Sequence, residues 1–249
     1  MSIVVKSDQE MATMRQAGRI VATILEVLKL QVRPGMKTEE LDVIAAREVE
    51  RLGAKSSFKG YRGFPATVCV SVNDEIVHGI PGKLVLHEGD IVSLDFGAIF
   101  AGFHGDAAVT VGVGSVNPEA KQLMETTEGA LKAGIAAARP GARLGDISAA
   151  IQHYAESGGY SLVREYTGHG IGREMHEEPQ IPNFGPAGQG PLLKKGMTLA
   201  LEPMVNIGDW RTRVGDNHWA VFTSDGSLSA HFEHTIAITD GEAEVFTAL

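Results

Sequence analysis

The chain contains two copies of one residue pattern. The tripeptide Arg-Pro-Gly at 33–35 recurs at 139–141, and the same shift of 106 positions places Leu41 on Ile147. A shift of 107 positions continues the match with four further pairs: Gly89 and Gly196, Val92 and Leu199, Leu94 and Leu201, and Asp95 and Glu202. Self-similarity of this kind indicates an internal duplication, so we expect the chain to fold as two similar halves.

Each copy predicts a pair of helices followed by strands. Apolar residues recur at helical spacing before and after the first Arg-Pro-Gly turn, at Ile20, Ile24, Leu28, Leu41, Ile44 and Ala45. We predict strands at 67–72, 76–79, 90–100, 106–113, 198–205, 219–223 and 231–239, with a glycine-rich turn at 101–105. Two such halves packed about a pseudo-twofold axis give an α+β fold. We expect one catalytic domain over 1–249, with pseudo-repeats at about 1–115 and 116–249.

The composition restricts the class of protein. A chain of 249 residues, 43% of them hydrophobic, is long enough to bury a substantial core. The net charge of −9 disfavours general attraction to nucleic acid, and the single cysteine, Cys69, excludes an internal disulfide. No apolar run is long enough to cross a membrane or to resemble a secretory signal. The sequence therefore predicts a cytoplasmic protein without membrane or specific nucleic-acid partners.

Two acidic residues lie inside apolar strand segments, where an unpaired carboxylate is costly. Asp95 interrupts the apolar run at 91–96, and Glu202 interrupts the run at 199–204 with no Lys or Arg within five residues. Burying such a charge without a partner costs several kcal/mol, so each acid requires something positive nearby. Because the two acids are counterparts in the duplicated halves, we expect them to meet at the centre of the molecule, where cations neutralise them.

Three further residues complete a candidate set of metal ligands. Asp106 lies across the predicted hairpin from Asp95, His169 lies between two glycines, and Glu233 is predicted to share one strand face with His231. Taken singly, Asp106 also fits a turn acid, His169 a loop histidine and Glu233 a solvent-facing strand residue. Together, four carboxylates and one imidazole suit two divalent ions such as Co, Mn, Fe or Zn. Paired ions of this kind activate water for hydrolysis.

Two histidines outside this set are candidates for catalysis. His78 lies in the segment 76–81 and His176 in the segment 173–179. A histidine beside a metal site can donate a hydrogen bond to a reacting carbonyl or to a leaving nitrogen. The zinc-protease motif His-Glu-x-x-His is absent at His176, because no second histidine follows at the required spacing. A structural loop histidine is the alternative for both, and the remaining histidines, including His104 and His231, are interpreted as structural.

Seven motifs resemble, in their order along the chain, those of one enzyme family. They are Val77-His78-Gly79-Ile80-Pro81, Leu94-Asp95-Phe96-Gly97, Gly105-Asp106, Thr167-Gly168-His169-Gly170-Ile171-Gly172, Met175-His176-Glu177-Glu178-Pro179, Leu201-Glu202-Pro203 and Phe232-Glu233-His234-Thr235. The chain resembles the type I methionine aminopeptidases in their compact bacterial form. This resemblance implies the pita-bread (creatinase/aminopeptidase) fold, whose pseudo-twofold symmetry agrees with the duplication. It also implies removal of the initiator methionine from nascent proteins when the second residue is small.

The resemblance implies a role for each candidate residue. The implied ligands of two divalent metal ions are Asp95, Asp106, His169, Glu202 and Glu233. Asp106 and Glu233 would bridge the two ions, and the substrate's free amino terminus would bind one of them. His78 would approach the scissile amide nitrogen, and His176 the substrate carbonyl. Glu202 would also carry the proton from the attacking water to the leaving amine.

An apolar pocket for the methionine side chain is implied as well. The positions that match the lining of this pocket in the family are Tyr61, Phe64, Cys69, Met175 and Trp219. Aromatic rings around an apolar pocket suit a thioether side chain. Ordinary core packing is the alternative, above all for Phe64 and Met175. Phe58 stands where many relatives have a cysteine, so we expect the rim of the pocket to differ in shape.

Two other functions remain open at this point. The same metal set serves Xaa-Pro aminopeptidases and prolidases, although those enzymes usually carry an additional amino-terminal domain for which 249 residues leave no room. The second alternative is a binding protein that keeps the fold without catalysis, but such proteins typically lose metal ligands. The expected partner is the N-terminal methionine of nascent polypeptides. We also expect transient ribosome contact and a monomeric state.

Overall fold

Two pairs of helices open the two halves of the computed structural model, which describes residues 2–249. The first pair is α1 (Asp8–Gln31) and α2 (Thr38–Arg51), and the second pair is α3 (Pro118–Ala137) and α4 (Leu144–Ser157). The predicted helical hairpin at the start of each half is therefore confirmed. Among residues 2–249, no helix combines the length and the apolar character that crossing a bilayer requires.

Local sequence signals determine where the helices begin. The Ser7 hydroxyl accepts a hydrogen bond from the backbone N–H of Glu10, and the Glu10 carboxylate accepts one from the backbone N–H of Ser7. This reciprocal capping box starts α1. The Asn117 side chain caps α3, and Pro118 occupies the first turn, where its missing N–H is not needed. The buried face of α1, which includes Ile24, then packs against strands of the same half.

The strands form one group in each half. The first group is β1 (Lys55–Ser56), β2 (Cys69–Val72), β3 (Glu75–Val77), β4 (Ile91–Phe100) and β5 (Phe103–Gly112). The second group is β6 (Ser161–Leu162), β7 (Gly168–Gly170), β8 (Glu177–Ile181), β9 (Thr198–Leu201), β10 (Met204–Asn206), β11 (Thr212–Val214), β12 (Val221–Thr223), β13 (Ser229–His231), β14 (Glu233–Ala237) and β15 (Glu244–Val245). A short 3-10 turn, Tyr61–Gly63, lies between β1 and β2.

A nine-stranded sheet joins the two halves. Its order is β1-β4-β5-β14-β9-β7-β8, with β2 paired to β4 and β15 paired to β14. The halves meet where β5 pairs with β14, with Ala108 opposite Glu233. The remaining strands form two three-stranded sheets, β13-β10-β6 and β11-β12-β3. The second of these also joins the halves, because β3 belongs to the first half and β12 to the second.

Each half has its own apolar core between its helices and the central sheet. Leu94 and Phe96 of β4 lie in a buried cluster with residues of α1 and α2. Leu199 and Leu201 of β9 lie in the equivalent cluster with residues of α3 and α4. Successive strand residues point to opposite faces of a sheet. Asp95, between Leu94 and Phe96, therefore points away from the helices.

The duplication is visible in the hydrogen bonds of the two Arg-Pro-Gly turns. The N–H of Gly35 donates to the carbonyl of Leu86, and the N–H of Gly141 donates to the carbonyl of Leu193. The N–H groups of Leu86 and Leu193 donate back to matching residues of the two turns. Both turn glycines have positive φ angles, 84° and 85°, a conformation that glycine adopts without a steric penalty. The predicted internal duplication is therefore confirmed.

The β4–β5 hairpin differs from the prediction in its turn and in its register. Instead of the predicted turn at 101–105, Ala101 and Gly102 form a two-residue turn with φ angles of 49° and 80°, and β5 begins directly after it. Positive φ at both positions defines a tight turn that matches the twist of the two strands. Asp106 consequently pairs with Gly97. The prediction that Asp106 directly faces Asp95 was wrong.

Two predicted strands of the second half are broken in the structure. The segment 198–205 divides into β9 and β10 at Glu202 and Pro203, and the segment 231–239 divides into β13 and β14 at Phe232. Pro203 has no N–H to donate to a neighbouring strand, which favours an interruption there. At each break the chain passes between the central sheet and a small sheet. The prediction that His231 and Glu233 share one face of a single strand was wrong, because they belong to different sheets.

The other predicted strands have the correct place but different ends. The first strand begins at Cys69 and not at 67, and the second ends before His78, which has a positive φ of 59°. The predicted strand at 219–223 begins at Val221. The side chain of Asn217 accepts hydrogen bonds from the backbone N–H groups of Trp219 and of the residue after it. Side-chain bonds of this kind compete with strand pairing and delay the start of the strand.

Candidate metal centre and adjoining pocket

The strand register places the acids of the first half beside an acid of the second half. Residues paired directly across neighbouring strands point to the same face of a sheet, as do alternate residues of one strand. Asp95 pairs with Ala108, which pairs in turn with Glu233. Asp106 precedes Ala108 by two residues. The carboxylates of Asp95, Asp106 and Glu233 therefore share the face of the central sheet that the helices leave uncovered.

The strand register also places the two remaining ligand candidates, His169 and Glu202, on this face of the sheet. Thr235, two residues after Glu233, pairs with Ala200, and Ala200 pairs on its other side with His169. Glu202 follows Ala200 by two residues, directly after the end of β9. The structure thus places all five predicted ligands on one face, although they come from four strands and the loop after β9.

Distances show that these side chains form one group. One ligand atom each of Asp106, His169 and Glu233 lie within 4.8 Å of one another, and all three residues are buried. The Oε1 atom of Glu202 is 3.6 Å from Nε2 of His169. Asp95 lines the same cavity as the other four residues. The acids of both halves therefore converge on one small volume.

The four carboxylates carry a strong penalty unless cations accompany them. Burial raises the pKa of Asp106 to about 7. Burial also raises the pKa values of Asp95, Glu202 and Glu233 well above their usual range, and neighbouring carboxylates add to these three shifts. Oδ1 of Asp95, Oδ1 of Asp106 and Oε1 of Glu233 are buried and have no hydrogen-bond partner within residues 2–249. Buried charges with free oxygen atoms of this kind are ones that metal ions neutralise.

His169 is arranged as a neutral ligand. Its Nδ1 atom lies 2.9 Å from the carbonyl oxygen of Gly170, which can only accept, so Nδ1 carries the proton and Nε2 keeps its lone pair. Burial lowers the pKa of His169 to about 4, which keeps the ring uncharged at neutral pH. Glycine is required at 170, because a Cβ there would collide with the carbonyl of Glu178. The donor set as a whole, carboxylate oxygens with one imidazole nitrogen, fits a divalent metal.

His78 and His176 line the same cavity as the ligand candidates. The ring of His78 packs edge-on against Tyr166 and Trp219, with centroid distances of 5.7 and 6.4 Å. The ring of His176 lies 4.2 Å from that of His169, centroid to centroid. Surrounding protein atoms lower the pKa of His78 and lower that of His176 to about 3, with His169 adding to the second shift. Both rings are therefore neutral hydrogen-bonding groups at neutral pH.

An apolar pocket adjoins the acids. Its walls are a small cluster separate from the two main cores, consisting of Phe58, Tyr61, Phe64, Ala66, Cys69, Ile80, Met175 and Trp219. This cluster contains all five residues that the resemblance assigned to a methionine pocket. Cys69 pairs with Asp95 across β2 and β4, so the pocket and the acids share a boundary. The common cavity has a volume of about 310 Å³.

Sequence reasoning missed other residues around the cavity. Arg62, Glu165, Tyr166 and Thr167 also line it. Thr167 opens the glycine-flanked motif of His169, and this proximity was the available signal for it. Nothing in the sequence distinguishes Arg62 or Glu165 from other exposed charged residues.

Two histidines that were interpreted as structural lie near the site. His231 is fully buried, and its Nε2 is 3.9 Å from Oε2 of Glu233. Within residues 2–249, neither ring nitrogen of His231 has a hydrogen-bond partner. Nδ1 of His104 lies 2.9 Å from the hydroxyl of Ser57. Only the position of His231, two residues before Glu233, could have indicated this placement from the sequence.

Comparisons with known proteins agree with this geometry. The model of metallopeptidase family M24 matches residues 12–240. A curated relative, Methionine aminopeptidase 1 from Bacillus subtilis, is 52% identical to this chain, and the match covers 98% of this chain and 99% of the relative.

Solved structures give the same result at the level of the fold. A methionine aminopeptidase from Thermotoga maritima superposes with a TM-score of 0.98 at 46% identity, and the match covers 100% of both chains. The prolidase from Pyrococcus furiosus has a TM-score of 0.81 at 21% identity, with 99% of this chain and 66% of that chain covered. The prolidase therefore shares the fold alone. The predicted α+β pita-bread fold is confirmed.

Proposed function

This chain belongs to metallopeptidase family M24 and within it to the methionine aminopeptidases, and we propose that it removes the initiator methionine from nascent proteins whose second residue is small. Metal-dependent release of an N-terminal methionine follows from the family. The preference for a small second residue is the part of the proposal that the peptide panel described below tests.

The shared boundary of the acids and the apolar pocket is the observation that carries this function. Cys69 of the pocket pairs with Asp95, and Met175 of the pocket is followed in the chain by His176. A side chain that enters the pocket would therefore bring its own amino and carbonyl groups against the carboxylates and the histidines. An enzyme that releases a terminal apolar residue requires this adjacency.

The residues present fit a pair of divalent ions. The residues that would hold the ions are Asp95, Asp106, His169, Glu202 and Glu233. Use of divalent metal follows from the family, whereas the number two and the choice among Co, Mn, Fe and Zn are part of the proposal. Such ions, when bound, polarise a carbonyl and lower the pKa of water. The unpaired oxygens of Asp95, Asp106 and Glu233 support this assignment.

Three side chains would handle the substrate's polar groups and protons. His176 would donate a hydrogen bond to the carbonyl oxygen of the scissile bond as negative charge develops there. His78 would approach the amide nitrogen of the same bond. Glu202 lines the cavity with a raised pKa, so its carboxylate can take a proton from the attacking water and deliver it to the leaving amine.

The pocket would select methionine through contact with its thioether. Tyr61, Phe64 and Trp219 supply aromatic rings, and Phe64 meets Trp219 edge-on at 5.1 Å between ring centroids. Sulfur makes favourable contacts with the edges of aromatic rings. Cys69 and Met175 complete the wall with polarisable sulfur atoms.

A panel of peptides tests the proposed function. Purified protein is loaded in turn with Mn, Co, Fe or Zn and given peptides that begin Met-Ala, Met-Ser, Met-Leu or Ala-Pro. We expect release of methionine from Met-Ala and Met-Ser, slow release from Met-Leu and no cleavage of Ala-Pro. The Asp106→Asn variant serves as the control, because it removes a buried ligand without changing the size of the side chain.

The same panel separates the two alternatives. Cleavage of Ala-Pro with Met-Ala left intact would identify an Xaa-Pro peptidase, in line with the fold that this chain shares with prolidase. Binding of Met-Ala without turnover under any of the four ions would identify a non-catalytic binding protein. Either result would overturn the proposed reaction.

The remaining parts of the proposal concern organisation and partners. We propose that 1–249 act as one catalytic domain with pseudo-repeats at about 1–115 and 116–249, and that the protein works as a monomer in the cytoplasm. Light scattering tests the monomeric state. We also propose transient contact with the ribosome, where nascent chains emerge, and co-sedimentation with ribosomes at low salt tests this contact. A stable oligomer would contradict the proposed monomeric state, and failure to co-sediment would contradict the proposed ribosome contact.

A further inference from the structure

Tyr61 makes a directional contact in addition to lining the pocket. Its hydroxyl oxygen lies 2.9 Å from Nδ1 of His176, and the two rings stack with their centroids 5.4 Å apart. Within residues 2–249, the hydroxyl makes no other hydrogen bond. We propose that Tyr61 is a positioning residue whose hydroxyl donates to Nδ1 of His176 and thereby keeps the single ring proton on Nε2.

The relative acidity of the two groups determines which one donates. A phenol, with a pKa of about 10, is a much stronger acid than the N–H of a neutral imidazole. The unprotonated imidazole nitrogen is in turn a better acceptor than a phenol oxygen. The pair is therefore most stable when the Tyr61 O–H donates to Nδ1. A neutral imidazole carries one N–H, so an accepting Nδ1 leaves that proton on Nε2.

The position of this proton matters for the reaction. His176 is the group assigned to the substrate carbonyl, and this inference rests on that part of the proposed function. A carbonyl oxygen can only accept hydrogen bonds, so Nε2 must carry the proton to stabilise the developing negative charge. In the other tautomer, Nε2 would direct a lone pair at the carbonyl and repel it. Tyr61 would thus act through His176 and not by touching the reacting atoms.

The backbone around Tyr61 holds the hydroxyl in place. Tyr61 begins the 3-10 turn, its N–H donates to the carbonyl of Phe58 at 2.9 Å, and its own carbonyl accepts from the N–H of Phe64 at 2.9 Å. The guanidinium of Arg62 lies 5.4 Å from the centre of the Tyr61 ring. The Tyr61 ring therefore contacts both His176 and Arg62. These contacts restrict the orientation of the ring and hence the position of its hydroxyl group.

Nitrogen NMR of the histidine side chains tests the direction of the hydrogen bond. The protein is ¹⁵N-labelled and loaded with Zn, which is diamagnetic, and the His176 signal is identified by its loss in His176→Asn. We expect the wild-type ring to carry its proton on Nε2, with Nδ1 as an acceptor. In Tyr61→Phe we expect the Nδ1 signal to move and the Nδ1–H tautomer to appear. A wild-type proton on Nδ1, or an unchanged spectrum in Tyr61→Phe, would overturn the proposal.

A matched variant controls for loss of any hydroxyl from the cavity. Tyr166 also lines the cavity, but its ring packs against His78 and makes no hydrogen bond to His176. Tyr166→Phe should therefore leave the His176 tautomer as it is in the wild type. The same spectral change in both variants would point to a general effect on the cavity and would overturn the proposed role of Tyr61.

Kinetics then separate a positioning role from pocket packing. Complete removal of a hydrogen-bond donor to a developing oxyanion costs about 10²–10³ in kcat, and Tyr61→Phe, which only weakens the preference for the donating tautomer, should cost roughly 10-fold. KM should change little, because phenylalanine keeps the ring that lines the pocket. A rise in KM with unchanged kcat would show that Tyr61 only packs against the substrate.

A double-mutant cycle provides the last test. The side-chain amide of asparagine carries N–H donors whatever its neighbour, so Tyr61→Phe should have no further effect on kcat in the His176→Asn background. The same 10-fold loss in that background would overturn the proposal. If the wild-type protein cleaves no methionine peptide, the proposed function fails, and the contribution of Tyr61 to the reaction fails with it. The NMR result still decides independently which group donates.

Discussion

The two halves of the molecule present their acidic residues in different ways. In the first half, Asp95 and Asp106 lie within β4 and β5, two uninterrupted strands of ten residues each. In the second half, Glu202 follows the last residue of β9, and Glu233 is the first residue of β14. The duplication therefore preserved an acid beside an apolar strand but changed the backbone around it.

This difference bears on what each acid can do. Asp95 is held by strand pairing on both sides, because β4 pairs with β2 and with β5 at that position. The backbone of Glu202 has left its strand, and its carbonyl accepts a hydrogen bond from the side chain of Asn183 instead. An acid held in the sheet suits a fixed ligand, whereas an acid at a strand end suits a group that also moves protons.

The largest expected effect tests whether the matched acids are interchangeable. We expect Glu202→Gln to lower kcat by about 10²–10⁴, the range for loss of a general acid–base group, with a smaller change in metal affinity. Asp95→Asn should instead act mainly on metal affinity, because it removes a fixed ligand. Kinetics with saturating metal and calorimetric metal titration measure the two quantities. If Glu202→Gln and Asp95→Asn changed kcat and metal affinity by the same amounts, the two matched acids would be functionally equivalent.

The two cavity histidines, one from each half, provide the next comparison. Replacing His78 or His176 with Ala should lower turnover by about 10²-fold or more, because each donates to the substrate at the reacting bond. Metal content should stay the same, since neither residue belongs to the proposed ligand set. Metal analysis of the purified variants is the control. A full rate in either variant would remove that histidine from the mechanism.

Removal of the metal should expose the free-energy cost of burying the acids of both halves close together. In metal-free protein the pKa of Asp106 is about 7, above its unfolded value of 3.8. Between these values the Asp106 carboxyl binds more protons in the folded state than in the unfolded state, so its contribution to stability falls as the pH rises from about 4 to about 7. The buried histidines, whose pKa values are lowered, contribute in the opposite direction. We expect the wild type to lose roughly 2 kcal/mol or more relative to Asp106→Asn over this range, measured by urea unfolding of both proteins with chelator present.

Bound metal should reverse this trend, because metal ions bind deprotonated carboxylates. Asp106→Asn in chelator is the matched control and should lose much of the slope. The same pH dependence of stability in the metal-free wild type and in Asp106→Asn would contradict the raised pKa of Asp106.

The smallest expected effect lies at the two Arg-Pro-Gly turns, where the halves are most alike. Gly35 and Gly141 have nearly the same positive φ, and a Cβ at either position meets no atom within 4 Å. Replacement by Ala should therefore cost only the backbone strain of a left-handed residue, about 1 kcal/mol at each position. Urea unfolding of Gly35→Ala and Gly141→Ala measures the two costs. Clearly unequal costs would show that the turns have diverged in their surroundings.

The sequence alone determined the features that depend on local pattern. Helical spacing of apolar residues predicted the helix pairs, and the repeated turns with their matching apolar positions predicted the duplication. Two acids inside apolar runs predicted a site that needs cations, because the cost of burying charge does not depend on the fold. The resemblance to a known family implied the residues of the pocket and the roles of the ligand candidates.

Only the tertiary structure decided how these residues meet. The tight turn at Ala101 sets the register that places Asp106 opposite Gly97, and the breaks after β9 and β13 place Glu202 and Glu233 at strand ends. The contact between Tyr61 and His176 joins residues 115 positions apart. Strand pairing and changes of sheet depend on the simultaneous packing of both halves, and no local pattern in the sequence contains that information.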